Sequence, residues 1–591
     1  YSETDPLPKS PPRKAQAVII GGGVIGCSVA YHLAKIGWSD VVLLERKKLT
    51  SGTTWHAAGL IGQLRDNQDM TKLAKYTAEL YLGLEDETGQ ATGYKQNGSL
   101  TIATTEGRLE DLKRRADMAK VFGLRVDVIG PKECKELYPL ITVDDVLGGI
   151  FVPTDGQANP TDVTMALAKG ARNGGVGIFE DTKVLSITQT GGRVTGVETE
   201  AGTIAAPYVV AAAGMWTREL AAAAGVNVPL HACEHFYILT EPFDGVTPDL
   251  PVFRDYDACA YYKEDAGKIL LGAFEPEAKP WGMDGIPEAF EFDQLPEDFD
   301  HFEPILEAAV NRMPMLAEAG IHTFFNGPES FTPDDRYYLG EAPELKNYWV
   351  AAGYNSIGII SSGGAGMALS QWMDSGEPPF DLWEVDIRRA QPFQRNRRYL
   401  RERVTETLGL LYADHFPYRQ MASARGVRRS VLHDQLKARG AVFGEKLGWE
   451  RPNWYGPDGA RDEYTYGRPN WFAHVGAEHA ACRDGVVLID QSSFAKFALK
   501  GPDAMAALGW IAANDVSGPP GSLTYTQMLN DHGGIEADLT CARMALDEYY
   551  IVTGTGFATR DFDWIAKGIP QGMNAQLVDV TSGWAVLSLM G

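Results

Sequence analysis

A glycine pattern near the start of the chain constrains its fold more than any other feature of the sequence. Residues 21–26 read G-x-G-x-x-G directly after the apolar run 17–20, and an apolar-periodic stretch to about Lys35 leads to a second apolar run that ends at Glu45. This order predicts a strand, a helix and a second strand. Such glycines let a pyrophosphate approach the helix N-terminus, and an acid after the second strand accepts hydrogen bonds from ribose. The opening therefore predicts a Rossmann-like dinucleotide-binding domain.

Two further features narrow the choice of dinucleotide. The acid at Glu45 favours an unphosphorylated ribose, hence FAD or NAD over NADP, although Arg46 follows it. The sequence carries one such fingerprint, whereas enzymes that use both cofactors usually carry two. The late glycine-rich segment 353–366 is expected to form cofactor-contacting turns before a helix, whose N-terminus would stabilise negative charge at a flavin ring. Its alternative is a plain loop-to-helix connection, and FAD is the favoured cofactor.

Composition excludes several classes of function. The chain has 54 basic and 78 acidic residues, a net charge of −24, so a nucleic-acid partner is disfavoured because it needs a basic face. No apolar run reaches the ~18–20 residues that a membrane span needs. The six cysteines are scattered without a C-x-x-C pair, as is typical of reduced thiols. We expect a mitochondrial matrix protein if the chain is eukaryotic and a cytoplasmic one if it is bacterial.

The loop after the second strand places an aromatic residue and a histidine among small residues, in Thr53-Thr54-Trp55-His56-Ala57-Ala58-Gly59. From the residues alone, His56 is most simply a hydrogen-bonded structural histidine. Together with stretches at 97–100, 213–216, 327–334 and 450–454, however, this loop makes the chain resemble the flavin-dependent sarcosine and dimethylglycine dehydrogenases from about residue 17 onward. In that family the histidine of the T-W-H stretch bears the flavin through the isoalloxazine 8-methyl carbon. The resemblance implies that FAD is covalently attached to His56.

The resemblance also implies a reaction. Such enzymes oxidatively demethylate an N-methylglycine by hydride transfer to the flavin, and they pass electrons to an electron-transfer flavoprotein or, in oxidase relatives, to oxygen. The methylene product is captured by tetrahydrofolate in an aminomethyltransferase-like domain or released as formaldehyde. Ser51-Gly52-Thr53 and Asn355-Ser356 are closer to sarcosine dehydrogenase, whereas 376–382 is closer to the dimethylglycine enzyme. Asp538 matches an acidic position near the folate in such domains; its alternative is a strand-edge or turn acid.

The implied fold is α/β and α+β: a Rossmann-like FAD-binding domain with an antiparallel-sheet substrate domain, then a partial aminomethyltransferase-like domain. The bounds that we expect are 1–16 for a leader, 17–385 for the oxidoreductase, 386–469 for a linker or central region, and 470–591 for the folate-binding domain. Within the oxidoreductase, about 17–90, 150–228 and 320–375 would bind FAD, and about 91–149 and 229–319 would form the substrate domain. The apolar run 584–591 stops without a turn, which suggests a truncated last domain.

The expected FAD-binding residues join the fingerprint, the Trp-His loop and the late glycine run. They are Gly21, Gly23, Val24, Ile25, Gly26, Glu45, Arg46, Gly52, Thr53, Thr54, Trp55, His56, Ala57, Ala58, Gly59, Leu60, Val184, Trp216, Gly353, Gly358 and Ile359. The glycines among them would let the cofactor approach the backbone. Tetrahydrofolate is the expected co-substrate.

The segment His231-Ala232-Cys233-Glu234-His235 has two interpretations. On a strand, alternate residues share a face, so His231, Cys233 and His235 could face a metal together, but no fourth ligand is near in the sequence and we expect none. The resemblance favours His235 as an active-site residue beside the flavin, with Tyr261, or else Tyr262, from the following strand. The alternative is two ordinary half-buried sheet residues.

These residue types suit amine oxidation. A histidine takes the ammonium proton or shares a hydrogen bond near neutral pH, and a tyrosine hydroxyl orients the amine or the carboxylate. The substrate carboxylate needs a cation, for which Arg254, Lys263 and Arg336 are unranked candidates.

Two other functions remain open. The chain is also similar to the regulatory subunit of pyruvate dehydrogenase phosphatase, which is not known as a catalyst, and residues 230–237 resemble that protein closely. The intact Thr-Thr-Trp-His-Ala-Ala-Gly context of His56, which the regulatory subunit lacks, favours the enzyme. A flavoprotein scaffold that only binds folate or partners is the third hypothesis, and it predicts no bleaching of the flavin by any amine.

Overall fold

The computed structural model describes residues 10–591, which form two compact units. The first comprises the described residues up to Ile387 together with Pro392–His415, and the second comprises Arg388–Gln391 and Phe416–Gly591. The domain boundary expected at residue 470 falls inside the second unit, since the hairpin of strands Ala441–Lys446 and Trp449–Tyr455 already belongs to that unit. No helix among the described residues is long and apolar enough to cross a membrane.

A six-stranded sheet in the first unit carries the glycine fingerprint. Its strands, in spatial order, are Tyr338–Glu341, Tyr348–Ala352, Tyr208–Ala211, Ala17–Ile20, Val41–Leu44 and Gly177–Phe179. The first two are antiparallel, and the other neighbours run parallel. Every residue of Ala17–Ile20 and Val41–Leu44 is buried, as expected for parallel strands covered on both faces. The predicted Rossmann-like domain is confirmed.

Helices cover this sheet and the neighbouring parts of the unit. They are Val24–Lys35, Gln68–Thr88, Glu106–Val121, Pro131–Leu137, Pro160–Asn173, Thr217–Ala223, Phe299–Arg312, Gly358–Ser375 and Arg397–Leu410. The glycines at 363–366, expected in cofactor-contacting turns, lie inside the helix Gly358–Ser375 instead. A Cβ at Gly364 would be 2.4 Å from the carbonyl oxygen of Leu73, so these glycines let the helix pack closely on its neighbours.

A larger, nine-stranded sheet forms the remainder of the first unit. Its spatial order is Pro280–Trp281, His231–Thr240, Lys268–Ala273, Ala260–Asp265, Val252–Asp255, Ser99–Ala103, Gly148–Val152 and Asp127–Ile129, with Ile321–Phe331 also paired to His231–Thr240. The neighbours are antiparallel, as expected, except that Val252–Asp255 and Ser99–Ala103 run parallel. Smaller sheets are Val184–Thr190 with Arg193–Thr199 and Gly202–Ala205, and Leu60–Ile61 with Gly156–Gln157.

The second unit is built on an antiparallel five-stranded sheet. Its order is Leu523–Leu529, Ile535–Ala545, Glu548–Thr553, Ala495–Lys500 and Gln576–Asp579, and a separate pair joins Val487–Asp490 to Leu587–Met590. The helices are His433–Ala438, Phe472–Asp484, Ala504–Ile511 and Ala558–Gly568. The core of this unit is a separate cluster around Phe497, Leu508, Leu539 and Ile551.

Candidate active site

The glycine fingerprint forms one wall of a cavity of about 380 Å³, called here the fingerprint cavity. Its other walls include residues 51–54, 182–185 and 351–356. Gly21 has a φ of +115°, and a Cβ there would lie 2.3 Å from the carbonyl oxygen of Ala212. A Cβ at Gly26 would lie 1.9 Å from the carbonyl oxygen of Gly21. Any side chain at these two positions would break the turn that leads into the helix Val24–Lys35.

Glu45 directly follows the strand Val41–Leu44 and lines this cavity. Its carboxylate accepts hydrogen bonds from the backbone N–H groups of Gly22, at 2.7 Å, and Lys47, at 2.9 Å. Burial raises the pKa of Glu45, although the bonds from Gly22 and Lys47 oppose the rise. The guanidinium of Arg46 lies over the Trp216 ring, 4.2 Å from its centroid. A carboxylate has about four acceptor positions, so Glu45 can still accept hydrogen bonds from a ribose.

Most of the predicted FAD-binding residues meet in the fingerprint cavity. Those that line it are Gly21, Gly23, Val24, Ile25, Glu45, Arg46, Gly52, Thr53, Thr54, Ala57, Val184, Trp216, Gly353, Gly358 and Ile359. His56, Ala58, Gly59 and Leu60 line a second cavity instead. Gly26 and Trp55 line neither; Trp55 packs against the rings of His56 and Phe325, with centroids 5.5 and 5.3 Å apart.

The helix Gly358–Ser375 begins at the fingerprint cavity. It supplies a second helix N-terminus there, as the glycine-rich segment 353–366 predicted. A helix N-terminus carries a partial positive charge. The preceding turn is strained, because Asn355 and Ser356 both have positive φ, +48° and +62°. The side-chain oxygen of Asn355 accepts a hydrogen bond from the N–H of Thr332 at 2.8 Å, which holds the turn in place.

His56 is buried in the short 3₁₀ turn Thr54–His56. Its ring lies 4.9 Å from that of Phe325, centroid to centroid, and Nε2 has no hydrogen-bond partner among the described residues. Burial and the nearby His235 lower the pKa of His56 to about 3, so the imidazole is neutral at physiological pH. A buried imidazole nitrogen without a partner is costly unless a bound group meets it.

The second cavity, of about 190 Å³, is called here the histidine cavity because His56 and His235 both line it. It shares Ala57, Glu329, Ser356 and Ile359 with the fingerprint cavity. The two cavities therefore adjoin at these residues. A group bound in the fingerprint cavity and a small molecule in the histidine cavity could touch at this junction.

Strand register arranges the side chains of the histidine cavity. Arg254, Tyr261, Gly272, Tyr237 and Phe325 are direct cross-strand partners in turn, and such partners share one face of a sheet. Tyr261 reaches along this face toward His235, and its hydroxyl oxygen is 3.4 Å from Nε2 of that histidine.

Both members of this pair are buried and uncharged. Burial lowers the pKa of His235 to about 4 and raises that of Tyr261, and the carboxyl of Glu329 raises the latter further. Tyr262 faces the opposite side of the strand, where its ring packs 4.9 Å from that of Phe253 and does not line the cavity. Of the two predicted tyrosines, Tyr261 is therefore the one beside His235.

The structure ranks the three predicted cations. Arg254 and Arg336 both line the histidine cavity, but Arg336 pairs with Asp66 at 2.6 Å. Lys263 donates to the carbonyl oxygen of Ala58 at 3.0 Å and does not line the cavity. Arg254 is thus the best placed of the three.

Sequence reasoning missed Arg65, which lines the same cavity. Burial and the neighbouring Arg254 lower the pKa of Arg65. Asp155, a buried acid that also lines the cavity, interacts electrostatically with both guanidinium groups and offsets part of their charge. Two adjacent guanidinium groups suit an anion such as a carboxylate. No local motif marks Arg65; it is recognised only once the fold places it next to Arg254.

Glu329 was also missed, although it lies at the junction of the two cavities. It is 4% exposed, and its Oε2 has no hydrogen-bond partner in the described part of the chain. Burial raises its pKa to about 7, against a hydrogen bond from Ser356.

The alternative metal site does not form at 231–235. His231 Nδ1 lies 3.0 Å from the guanidinium of Arg218, and Cys233 donates to the carbonyl oxygen of Val404. Within residues 10–591, no three His, Cys, Asp or Glu side chains are grouped so that they could hold a metal ion.

In the second unit, Asp538 lies on the strand Ile535–Ala545 and is exposed. Its Oδ2 accepts a hydrogen bond from the Tyr525 hydroxyl at 2.7 Å, across the paired strand. Both predicted alternatives, a folate ligand and a strand-edge acid, are compatible with this position.

Comparison with known proteins identifies the domains. Residues 16–372 match the family described as FAD dependent oxidoreductase. Residues 375–430 match the FAD dependent oxidoreductase central domain, and 432–591 match the GCVT N-terminal domain. FAD, rather than NAD, is therefore the cofactor of the oxidoreductase domain, and the residues present fit it: the glycine turn admits a pyrophosphate, and His56, whose buried Nε2 has no partner in the described chain, lines the adjoining histidine cavity.

Three relatives match nearly the whole chain. The 4-methylaminobutanoate oxidase (formaldehyde-forming) of Paenarthrobacter nicotinovorans is 44% identical over 99% of this chain and 71% of its own length. The mitochondrial pyruvate dehydrogenase phosphatase regulatory subunit of Mus musculus is 40% identical over 98% of this chain and 67% of its own length. The mitochondrial sarcosine dehydrogenase of Homo sapiens is 38% identical over 98% of this chain and 68% of its own length. The chain belongs to the family of FAD-dependent amine oxidoreductases that includes the sarcosine and dimethylglycine dehydrogenases.

Proposed function

We propose that this enzyme oxidatively demethylates a small N-methylamino acid, sarcosine or dimethylglycine, with FAD bound covalently through His56. The junction of the two cavities carries the proposal. The unpartnered Nε2 of His56 lies on the side of the histidine cavity, where the Tyr261–His235 pair and Arg254 also lie. A carboxylate at Arg254 would hold an N-methyl group within reach of the junction.

FAD would be held by the fingerprint turn, Glu45 and the N-terminus of the helix Gly358–Ser375. When bound, it accepts a hydride from the methyl carbon of a neutral amine. Glu329 and Ile359 are buried at the junction, and Ala57 and Ser356 are half-buried there. A bound flavin and an amine in the histidine cavity would together displace water from this junction.

His56 is suited to carry the flavin because its imidazole is neutral and its Nε2 lone pair is free. We propose that the covalent bond joins this nitrogen to the 8-methyl carbon. Gly327 packs against the opposite edge of the ring, since a Cβ there would lie 2.9 Å from Nδ1 of His56. This packing favours Nε2 over Nδ1 for the proposed bond.

Arg254, with Arg65 beside it, would bind the substrate carboxylate. The Tyr261 hydroxyl, which keeps its proton because burial raises its pKa, would donate a hydrogen bond to the substrate or to His235. His235, neutral since its pKa is lowered to about 4, would accept that bond and fix the orientation of the hydroxyl. The three side chains would position the N-methyl group without supplying charge at the reacting carbon.

The iminium product would hydrolyse to formaldehyde or transfer its carbon to tetrahydrofolate. The name of the Paenarthrobacter relative supports formaldehyde release, and the GCVT match at 432–591 supports a folate-binding domain in which Asp538 contacts the folate. We propose an electron-transfer flavoprotein as electron acceptor, by analogy with the family. A second substrate, 4-methylaminobutanoate, is favoured by the 44% identity to the oxidase of that name.

The covalent bond is tested by denaturing the purified protein in acid. Yellow, fluorescent flavin should remain on the polypeptide of the wild-type protein and be released from a His56→Ala variant. A His322→Ala variant, which changes an exposed histidine, should retain it. Release of all flavin from the wild-type protein would refute the assignment of His56. A regulatory function, as in the pyruvate dehydrogenase phosphatase subunit, would instead give a protein whose flavin no amine reduces.

A further inference from the structure

We propose that Glu329 binds the ammonium group of the substrate and accepts its proton, which makes it a further catalytic residue at the cavity junction. The inference rests on the proposed function, because it requires an alkylammonium ion in the histidine cavity. It concerns charge recognition and proton transfer, for which the sequence indicated only His235 and Tyr261.

The first argument is the position of Glu329 on its strand. Gly327 and Glu329 are alternate residues of Ile321–Phe331 and share a face. His56 lies directly over Gly327, where a Cβ would be 2.8 Å from its Cε1, and His235 is the cross-strand partner of Gly327. Glu329 therefore lies next to the position that His56 covers, on the same face of the strand. It is the diagonal cross-strand neighbour of His235, and such neighbours are about 7 Å apart.

The second argument is the state of the carboxyl group. Glu329 is almost fully buried, one of its oxygens has no partner in residues 10–591, and Ser356 hydrogen-bonds the group. A buried carboxyl with an unpartnered oxygen is costly unless a ligand completes it. Ser356 belongs to the strained turn at Asn355 and Ser356, so the side chain that contacts this carboxyl is carried by a distorted backbone.

The third argument is the lack of another proton acceptor at the junction. The groups that face Glu329 are His56 from its loop, Cys233, His235 and Tyr237 from the neighbouring strand, and Tyr261 from the next. The two histidines have pKa values lowered to about 3 and 4, and burial raises those of the thiol and the tyrosines. Neither histidine would hold a proton at neutral pH, whereas Glu329, with a pKa of about 7, would exchange one.

The proton transfer is balanced. An N–H bond of the ammonium breaks, its electron pair stays on nitrogen, and an O–H bond forms at Oε2 of Glu329. A cation and an anion become a neutral amine and a neutral carboxylic acid, with no change of oxidation state. The electron pair on nitrogen is what the carbon needs in order to give up a hydride.

Charge recognition is tested with two unreactive ligands of equal shape, trimethylammonioacetate and 3,3-dimethylbutanoate, by calorimetry on the flavin-loaded enzyme. Both carry the carboxylate for Arg254, but only the first has a cationic centre. We expect Glu329→Gln to weaken the binding of trimethylammonioacetate at least tenfold and to leave the affinity for 3,3-dimethylbutanoate unchanged. In the wild type, trimethylammonioacetate should bind about tenfold more tightly at pH 8 than at pH 6, as Glu329 ionises, and the variant should lack this dependence.

Proton transfer is tested by the limiting rate of flavin reduction under anaerobic conditions. We expect Glu329→Gln to lower this rate at least tenfold at pH 7. The rate of the variant should then rise about tenfold per pH unit toward pH 9, because neutral amine becomes available from solution. Glu275→Gln is the matched control. Glu275 is another buried glutamate with a partnerless oxygen in the described chain and a raised pKa, but it lines neither cavity.

The outcomes separate this inference from the proposed function. If the amine reduces the wild-type flavin but Glu329→Gln behaves like Glu275→Gln in both experiments, Glu329 has no such role while the proposed function stands. If no amine reduces the wild-type flavin, the proposed function fails instead. Loss of affinity for both ligands equally would show that Glu329 shapes the cavity without recognising charge, which also overturns the inference.

Discussion

Tyr261 lies flat over Gly272, its direct cross-strand partner: a Cβ at Gly272 would be only 2.1 Å from Cζ of the tyrosine ring. The missing side chain at position 272 lets the ring lie along the sheet, with its hydroxyl directed to His235. The geometry of the proposed active site therefore depends on a residue that makes no chemical contribution of its own.

Gly272→Ala should displace the Tyr261 ring and lower kcat/KM for the amine on the order of 10–100-fold. Overpacking at this site should also cost about 1–3 kcal/mol of unfolding free energy. Amine oxidation and urea denaturation would measure the two effects. The control is Gly83→Ala, at an exposed helical glycine with nothing within 4 Å of the added Cβ. The unfolding free energy of that variant should rise by up to about 1 kcal/mol, and its activity should equal that of the wild type. Equal activity of the Gly272→Ala and Gly83→Ala variants would contradict the account.

Arg254→Met should raise KM much more than it lowers kcat. Removal of a guanidinium that holds a carboxylate costs about 2 kcal/mol or more, so KM should rise about 30-fold or more. Arg114→Met is the control, since Arg114 is exposed on the helix Glu106–Val121. A KM unchanged from the wild type would show that the carboxylate binds elsewhere, and the same substitution at Arg65 would then become the next test.

Acidification should destabilise the protein through His235. Its pKa is lowered from 6.5 to about 4 by burial, so the unfolded chain binds a proton between these values and the folded protein does not. The stabilisation is therefore present above pH 6.5 and is lost as the pH falls toward 4. Between pH 7 and pH 5 the loss amounts to about 2 kcal/mol.

This contribution is isolated by comparing variants. Between pH 7 and pH 5, the unfolding free energy measured by urea denaturation should fall by about 2 kcal/mol more in the wild type than in His235→Asn. His322→Asn, at an exposed histidine, should follow the wild type. Parallel pH curves for the wild type and His235→Asn would mean that His235 is not kept neutral by the fold.

Local spacing in the sequence predicted the parts of the molecule that local geometry determines. The turn at Gly21 and Gly26, the strand that leads to Glu45 and the loop with His56 are each formed by consecutive residues, so their pattern is visible without the fold. The FAD-binding domain, with its parallel sheet, is confirmed for the same reason. The glycines at 363–366 were predicted in cofactor-contacting turns but lie inside a helix, because helix packing and cofactor contact both select small residues.

The residues that sequence reasoning missed come together only through pairing of distant strands and loops. Arg65 reaches Arg254 across nearly 190 residues of chain, and Glu329 reaches the cavity because its strand pairs with that of His235 in one particular register. A shift of one residue would turn Glu329 to the other face of the sheet. No motif encodes that register. The start of the second unit was equally hidden, because the hairpin 441–455 has no composition that separates it from a linker.

The central claim, that the flavin of this protein oxidises an N-methylamino acid, is tested most directly by anaerobic mixing of the purified holoprotein with sarcosine, dimethylglycine and 4-methylaminobutanoate in turn. The account predicts that at least one of them bleaches the visible flavin absorbance in a single turnover, with one formaldehyde formed per flavin reduced in the absence of tetrahydrofolate. A flavin that dithionite bleaches but that none of the three amines reduces would contradict it.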